Sequence, residues 1–209
     1  QHTEMERFAV DVDSHFRWWC DGKKSGTLWI YNEETGLWQP DGWTALRNLY
    51  GTRYAEQTTD EKGRKADYAK ALREFETYFM TRQTDHEEEF PDGNPALIPF
   101  RNGVYDLDKK RLIEYQHDHW FTSKIPWDFN EKATCQWFMQ LLSEWVRNPQ
   151  EIIDLLGLCL YRRMPLQKMF MLLGSGNNGK TMLLQIMARA LGEANVSTLP
   201  IHQLGERFA

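Results

Sequence analysis

The stretch from Lys168 to Thr181 constrains this chain more than any other. Lys168-Met169-Phe170-Met171-Leu172-Leu173 is apolar almost throughout and predicts a buried strand covered on both faces. Gly174-Ser175-Gly176-Asn177-Asn178-Gly179-Lys180-Thr181 fits the spacing G-x-x-x-x-G-K-[ST] of a phosphate-binding loop. Met182 to Leu191 then carries Leu183, Leu184, Ile186, Met187, Ala190 and Leu191 at helical spacing and stops at Gly192. Each residue type has a reason. Glycines let backbone N–H groups curl around a β-phosphate without a Cβ clash, and a following helix offers free N–H groups and its positive end. Lys180 is expected to reach the β- and γ-phosphates of ATP as a point charge, with the Thr181 hydroxyl holding Mg²⁺. Gly174, Ser175, Gly176, Asn177, Asn178, Gly179, Lys180 and Thr181 are therefore the candidate nucleotide-binding residues, with Lys180 and Thr181 the catalytic pair. An ordinary strand–turn–helix is the plain alternative. The apolar run before the loop and the helical spacing after it favour a nucleotide site.

At 209 residues there is room for one large domain or two small ones. Nine tryptophans and eleven phenylalanines are unusually many, and they are assigned to core packing ahead of a base-stacking platform. A net charge of −5 excludes bulk electrostatic adhesion to nucleic acid. Any DNA role must rest on a local patch or on assembly into a ring. Cys20, Cys135 and Cys159 are widely spaced without a C-x-x-C, which argues against a zinc site or a disulfide framework and for reduced thiols inside a cell. No run approaches 18 apolar residues and no signal-peptide pattern opens the chain, so neither a membrane span nor secretion is expected. Starting at Gln1 and ending soon after one βα unit, the chain reads as a fragment of something longer.

Upstream, an aromatic cluster, His15-Phe16-Arg17-Trp18-Trp19-Cys20, precedes a polar break at residues 21–26. Thr27-Leu28-Trp29-Ile30-Tyr31 and Leu37-Trp38-Gln39 flank a short Gly-containing loop and predict a hairpin. Helices are expected over 44–57 and from Lys62 to about Arg82, the latter with Ala69, Leu72, Phe75 and Phe79 on one face. Asp85-His86-Glu87-Glu88-Glu89 reads as a solvated acidic loop. Short strands follow at 97–100, 103–107 and 111–115, the last two joined by an Asp108-Lys109-Lys110 turn. His117 and His119 form an H-x-H. Without a third ligand nearby they are read as packing or surface histidines in preference to a metal pair. A boundary falls near Pro126 to Asn130. Beyond it, Ala133 to Val146 and Ile152 to Tyr161 predict two helices, and Arg162 and Arg163 are read as C-terminal caps ahead of phosphate or DNA contacts.

Several separated motifs occur in one order. Asn102-Gly103-Val104-Tyr105-Asp106-Leu107, His119-Trp120-Phe121-Thr122 and Ile125-Pro126-Trp127-Asp128-Phe129 are followed by Leu156-Gly157-Leu158-Cys159-Leu160, Gln167-Lys168 and the glycine-rich loop. This order resembles the region leading into the motor of phage, plasmid and archaeal-virus primase-helicases, and Leu204 to Ala209 is similar to the segment after their first motor helix. The resemblance covers about Leu97 to Ala209. Before that it rests on the hairpin Leu28 to Trp38.

The resemblance implies a superfamily 3 DNA helicase, an AAA+-like ATPase that forms a ring, commonly a hexamer, around DNA and is often joined to a primase-polymerase module. It implies a cytoplasmic setting in the host of a virus, phage or plasmid. On this reading the fold is an α+β helicase-associated N-terminal domain (residues 1–130), a helical segment (131–164) and the first βα unit of an incomplete α/β P-loop ATPase (165–209). The acid that completes the Mg²⁺ site, the sensor and the arginine finger would lie downstream of Ala209, so this chain is expected to bind ATP without hydrolysing it. The apolar face of such an incomplete sheet is expected to be exposed or poorly ordered. Two other classes stay open: a nucleotide-switched DNA-binding or assembly module, and a small-molecule P-loop kinase.

Overall fold

The computed structural model describes residues 10, 12, 17–20, 27–53, 73–74, 76–77, 90–163, 165–166, 168–176, 178–200 and 203. The expected acidic loop at 85–89, the segment 204–209 and most of the expected helix over 62–82 lie outside the described residues. Of that helix, 73–74 and 76–77 are helical. The fold is mixed α/β, with two small antiparallel sheets and four helices among the described residues. It divides into two compact units, one of residues 1–93 with 116–122, the other of 94–115 with 123–209.

In the first unit, β1 (Trp18–Cys20), β2 (Leu28–Asn32) and β3 (Leu37–Gln39) form a meander in that order. The predicted hairpin is present. Asn32 shapes its turn, its Oδ1 accepting the N–H groups of Glu34 and Thr35. Leu28 and Ile30 point to the buried face, where α1 (Gly42–Arg53) packs over β2 with Leu46 buried. The helix starts at a glycine because a Cβ at Gly42 would lie 2.6 Å from the Leu28 carbonyl oxygen. Residues 116–122 return to β3. The Trp38 N–H donates to the Phe121 carbonyl at 2.7 Å, and its indole N–H to the His117 carbonyl at 2.8 Å. Trp38 stacks on Trp120 with centroids 4.6 Å apart, and Phe90 meets Trp19, Trp29, Trp38 and Trp120 within 6.0 Å. His119 is buried against Phe121, and its Nδ1 accepts the Gln116 N–H at 3.2 Å. It serves as a packing residue.

In the second unit, β4 (Leu97–Phe100), β5 (Gly103–Asp106) and β6 (Arg111–Ile113) form another meander. Gly103 is required: its φ is +148° and a Cβ would lie 2.9 Å from the Ile113 carbonyl oxygen. Asp106 is buried and organises the next turn. Its Oδ1 accepts the N–H groups of Asp108 and Lys109, and its Oδ2 pairs with the Lys109 ammonium at 3.1 Å. The Lys109 N–H, then that ammonium, hold its carboxyl below the usual value against the opposing effect of desolvation.

Two separated sequence motifs meet here. Arg101 grips Asp128 through both carboxylate oxygens at 2.8 Å, and Asn102 brackets the Phe129 backbone, accepting its N–H at 2.8 Å and donating to its carbonyl at 3.1 Å. Phe129 stacks on Tyr105 at 4.2 Å. The Ile125 N–H reaches the Pro99 carbonyl, so the far side of β4 is partly paired as well.

Three helices complete this unit: α2 (Gln136–Trp145), α3 (Pro149–Leu160) and α4 (Lys180–Leu191). Leu142, Ile152, Leu183 and Met187 form their shared core, with Phe138, Trp145 and Leu172 packed around it. Pro149 occupies the first turn of α3, where its missing N–H costs nothing.

One expectation fails. Residues 168–173 are not a buried strand: they take no strand conformation, and Met169 (75% exposed) and Leu173 (81%) face solvent. A parallel strand needs ladder partners on both sides and cover on both faces. Among the described residues no strand pairs with this segment, and only Leu172 joins the helical core.

Candidate phosphate site at the start of the fourth helix

The glycine-rich loop enters α4 through Gly179, which has φ +80° and occupies the N-cap position. A side chain there would be strained, and it would also be crowded, because a Cβ would lie 3.0 Å from the Trp145 ring. Trp145 thus forms a wall under the corner of the loop. Sequence alone marks Trp145 as one more apolar residue of an amphipathic helix, and nothing in its spacing points to Gly179.

Lys180 is the first residue of α4, and Leu183 closes the first helical bond onto the Gly179 carbonyl at 2.9 Å. The N–H groups of a helix's first turn have no intrahelical acceptor, so they point outward as anion donors. The Lys180 ammonium turns back into the loop. It donates to the carbonyls of Gly174 at 3.1 Å and Ser175 at 3.2 Å, and to Asn178 Oδ1 at 2.5 Å. Those three oxygens match the three donors of an ammonium group. Gly174 accommodates the Asn178 side chain, since a Cβ on it would come within 1.9 Å of Asn178 Nδ2. Gly176 faces open space. Thr181 is exposed on the first turn of α4. Asn177 lies outside the described residues.

This donor set fits a polyphosphate: one lysine, a helix N-terminus, and a loop whose backbone can approach a ligand closely. It also fits Mg²⁺, which keeps several waters and needs only one or two protein oxygens besides phosphate. Among the described residues no group of three or more His, Cys, Asp or Glu side chains is placed to hold a metal without a nucleotide.

Beside the loop lies a cleft of about 330 Å³, lined by Trp145, Val146, Arg147, Asn148 and Glu151 where α2 passes through a turn into α3, and by Leu172, Gly179, Lys180 and Leu183. The Asn148 amide donates to Glu151 Oε1 at 3.0 Å across the first turn of α3. None of these turn residues stands out in the sequence as part of a site; only the cap pattern Asn148-Pro149 marks where α3 begins. Arg162 and Arg163 follow the end of α3 at Leu160.

At its other end α4 is fastened to residues 124–127. The Trp127 indole N–H donates to the Arg189 carbonyl at 2.8 Å, and the Asn195 amide donates to the carbonyls of Leu191 and Lys124 at 2.8 and 3.1 Å. Gly192, with φ +92°, ends the helix as its sequence position predicts, and a Cβ there would strike Pro126 at 2.6 Å. No helix among the described residues is long and apolar enough to cross a membrane.

The chain has similarity to known proteins. A protein of Sputnik virophage named "Putative helicase V13" is 22% identical over 185 residues, covering 81% of this chain and 24% of that protein. The chain thus spans about a quarter of the length of that relative. Residues 3–147, more than two thirds of the chain, match the D5 N-terminal-like family. The chain belongs to the D5 N-terminal-like family of viral and phage primase-helicases, as the order of its motifs implies.

Proposed function

We propose that this chain is the ATP-binding entry to a DNA replication helicase of the superfamily 3 type, in which residues Gly174 to Thr181 hold ATP and Mg²⁺. The observation that carries the reading is the loop itself, where Lys180 heads a helix behind the left-handed Gly179, in a chain whose preceding residues are D5 N-terminal-like. Lys180 would exchange loop carbonyls for β- and γ-phosphate oxygens, and Thr181 would supply one Mg²⁺ ligand. The phosphates bring the negative charge and the metal its Lewis acidity; this chain's residues bind and orient. Hydrolysis also needs a second acid and an arginine finger, which the loop itself does not supply. In the longer protein, copies would assemble as a ring, a hexamer in this reading, around DNA and beside a primase-polymerase module, in the cytoplasm of a host cell.

The first test is equilibrium ATP binding by the 209-residue chain and by Lys180→Ala, then DNA-stimulated hydrolysis by the longer protein. Binding lost with Lys180, and turnover that rises with DNA, support the motor. Binding without DNA-dependent turnover would favour a nucleotide switch, a reading that the fastening of α4 to residues 124–127 makes specific.

A further inference from the structure

The cleft beside the glycine-rich loop carries charges of both signs. Its charged lining is Lys180 from the start of α4, Glu151 from the first turn of α3, and Arg147. Val146, Ile152, Leu172 and Leu183 give the cleft an apolar lining as well. At about 330 Å³ it falls at the lower end of the range for small-molecule sites.

A carboxylate repels a polyphosphate, so a ligand whose anionic tail is held by Lys180 must turn an uncharged, donor-rich part toward Glu151. A ribose answers that description. Its hydroxyls donate, and an ionised carboxylate only accepts. Asn148 holds Glu151 Oε1 at 3.0 Å, which leaves the second carboxylate oxygen available for such donors.

We propose that Glu151, oriented by Asn148 at the α2–α3 turn, binds the sugar hydroxyls of the nucleotide and makes the site select ribonucleoside triphosphates over an analogue lacking the 2′- or the 3′-hydroxyl. This inference rests on the nucleotide reading of the loop. The bland role of Glu151, an acidic residue stabilising the first turn of α3, predicts no such selectivity.

The test is titration of the 209-residue chain with Mg²⁺ and ATP, 2′-deoxy-ATP or 3′-deoxy-ATP, repeated on Glu151→Gln and Lys180→Ala. Glutamine keeps an oxygen for capping but removes the charge. Wild type should bind ATP about five- to tenfold more tightly than at least one deoxy analogue, and Glu151→Gln should reduce that ratio toward one while still binding. Equal affinities for all three ligands in the wild type overturn the sugar role without any variant. A ratio unchanged in Glu151→Gln overturns it as well, and in both cases binding lost only in Lys180→Ala leaves the loop reading intact. No ATP binding by the wild type overturns both.

Discussion

The indole N–H of Trp127 lies 2.8 Å from the carbonyl oxygen of Arg189, tying the last turn of α4 to the segment that Arg101 and Asn102 hold against the second sheet. Motifs read from the sequence as separate signatures are therefore consecutive links of one mechanical chain: β4–β5 turn, residues 124–129, α4, glycine-rich loop.

Breaking the Trp127 link tests that chain. Trp127→Phe keeps an aromatic ring but removes the donor. Trp127 is 53% exposed, so water can replace the lost bond. The expected cost is about 1 kcal/mol, read as a shift in urea midpoint with unchanged slope. A loss above about 3 kcal/mol would show that the indole is a core element instead.

Gly179→Ala should cost about 1–2 kcal/mol from its left-handed backbone alone, and should weaken ATP binding more than it weakens the fold. Trp145→Leu in the same background relieves the ring contact without changing φ, so it should recover only part of the loss. Full recovery would assign the whole effect to crowding.

Gly42→Ala forces a Cβ against a backbone carbonyl, which cannot swing aside as a side chain would. Destabilisation of about 1–3 kcal/mol is expected, confined to the first unit. Chemical-shift changes spreading over residues 17–53 and sparing 136–191 would match it; wild-type stability would contradict it.

Asp106 gives a pH signature. Its folded-state carboxyl titrates below its ordinary value, so it adds stability that is present above the unfolded value of about 4 and is lost as pH falls through the lower folded value. Asp106→Asn keeps an amide oxygen for the Asp108 and Lys109 N–H groups but loses the pairing with Lys109. The stability gap between wild type and variant should be constant near neutrality and close as pH falls below about 4. A gap that does not change with pH would mean the effect is packing alone.

Lys180→Ala should weaken ATP binding at least about tenfold, the worth of a charge-assisted contact, while leaving the melting temperature of the chain without ligand within about 2 °C. Unchanged affinity would sink the loop assignment.

Local rules made much of this legible. The hairpin around Asn32, the meander with its Asp106 turn, and helix α4 ending at Gly192 all follow from turn chemistry and periodicity within a few residues. Helix α3 begins at Pro149, three residues earlier than its apolar spacing implies, because a proline cap carries no apolar signal. The strand expected at 168–173 did not form, since strand pattern states a preference that only neighbouring strands can satisfy. Long-range proximity was the other blind spot: Trp145 under Gly179, and Glu151 on the same cleft as Lys180, lie about 30 residues apart in sequence with no periodic relation. The motifs around Asn102 and Phe129 were visible as a pattern, but the pattern alone did not reveal that one grips the other.

The face-to-face pair Trp38 and Trp120 has a use beyond packing. Two indoles at this separation couple their ultraviolet transitions, giving a circular-dichroism band that exists only while residues 116–122 remain seated on β3. Trp127, Trp137 and Trp145 belong to the other unit. The chain therefore carries its own optical tag, and melting of the first unit can be followed by that band.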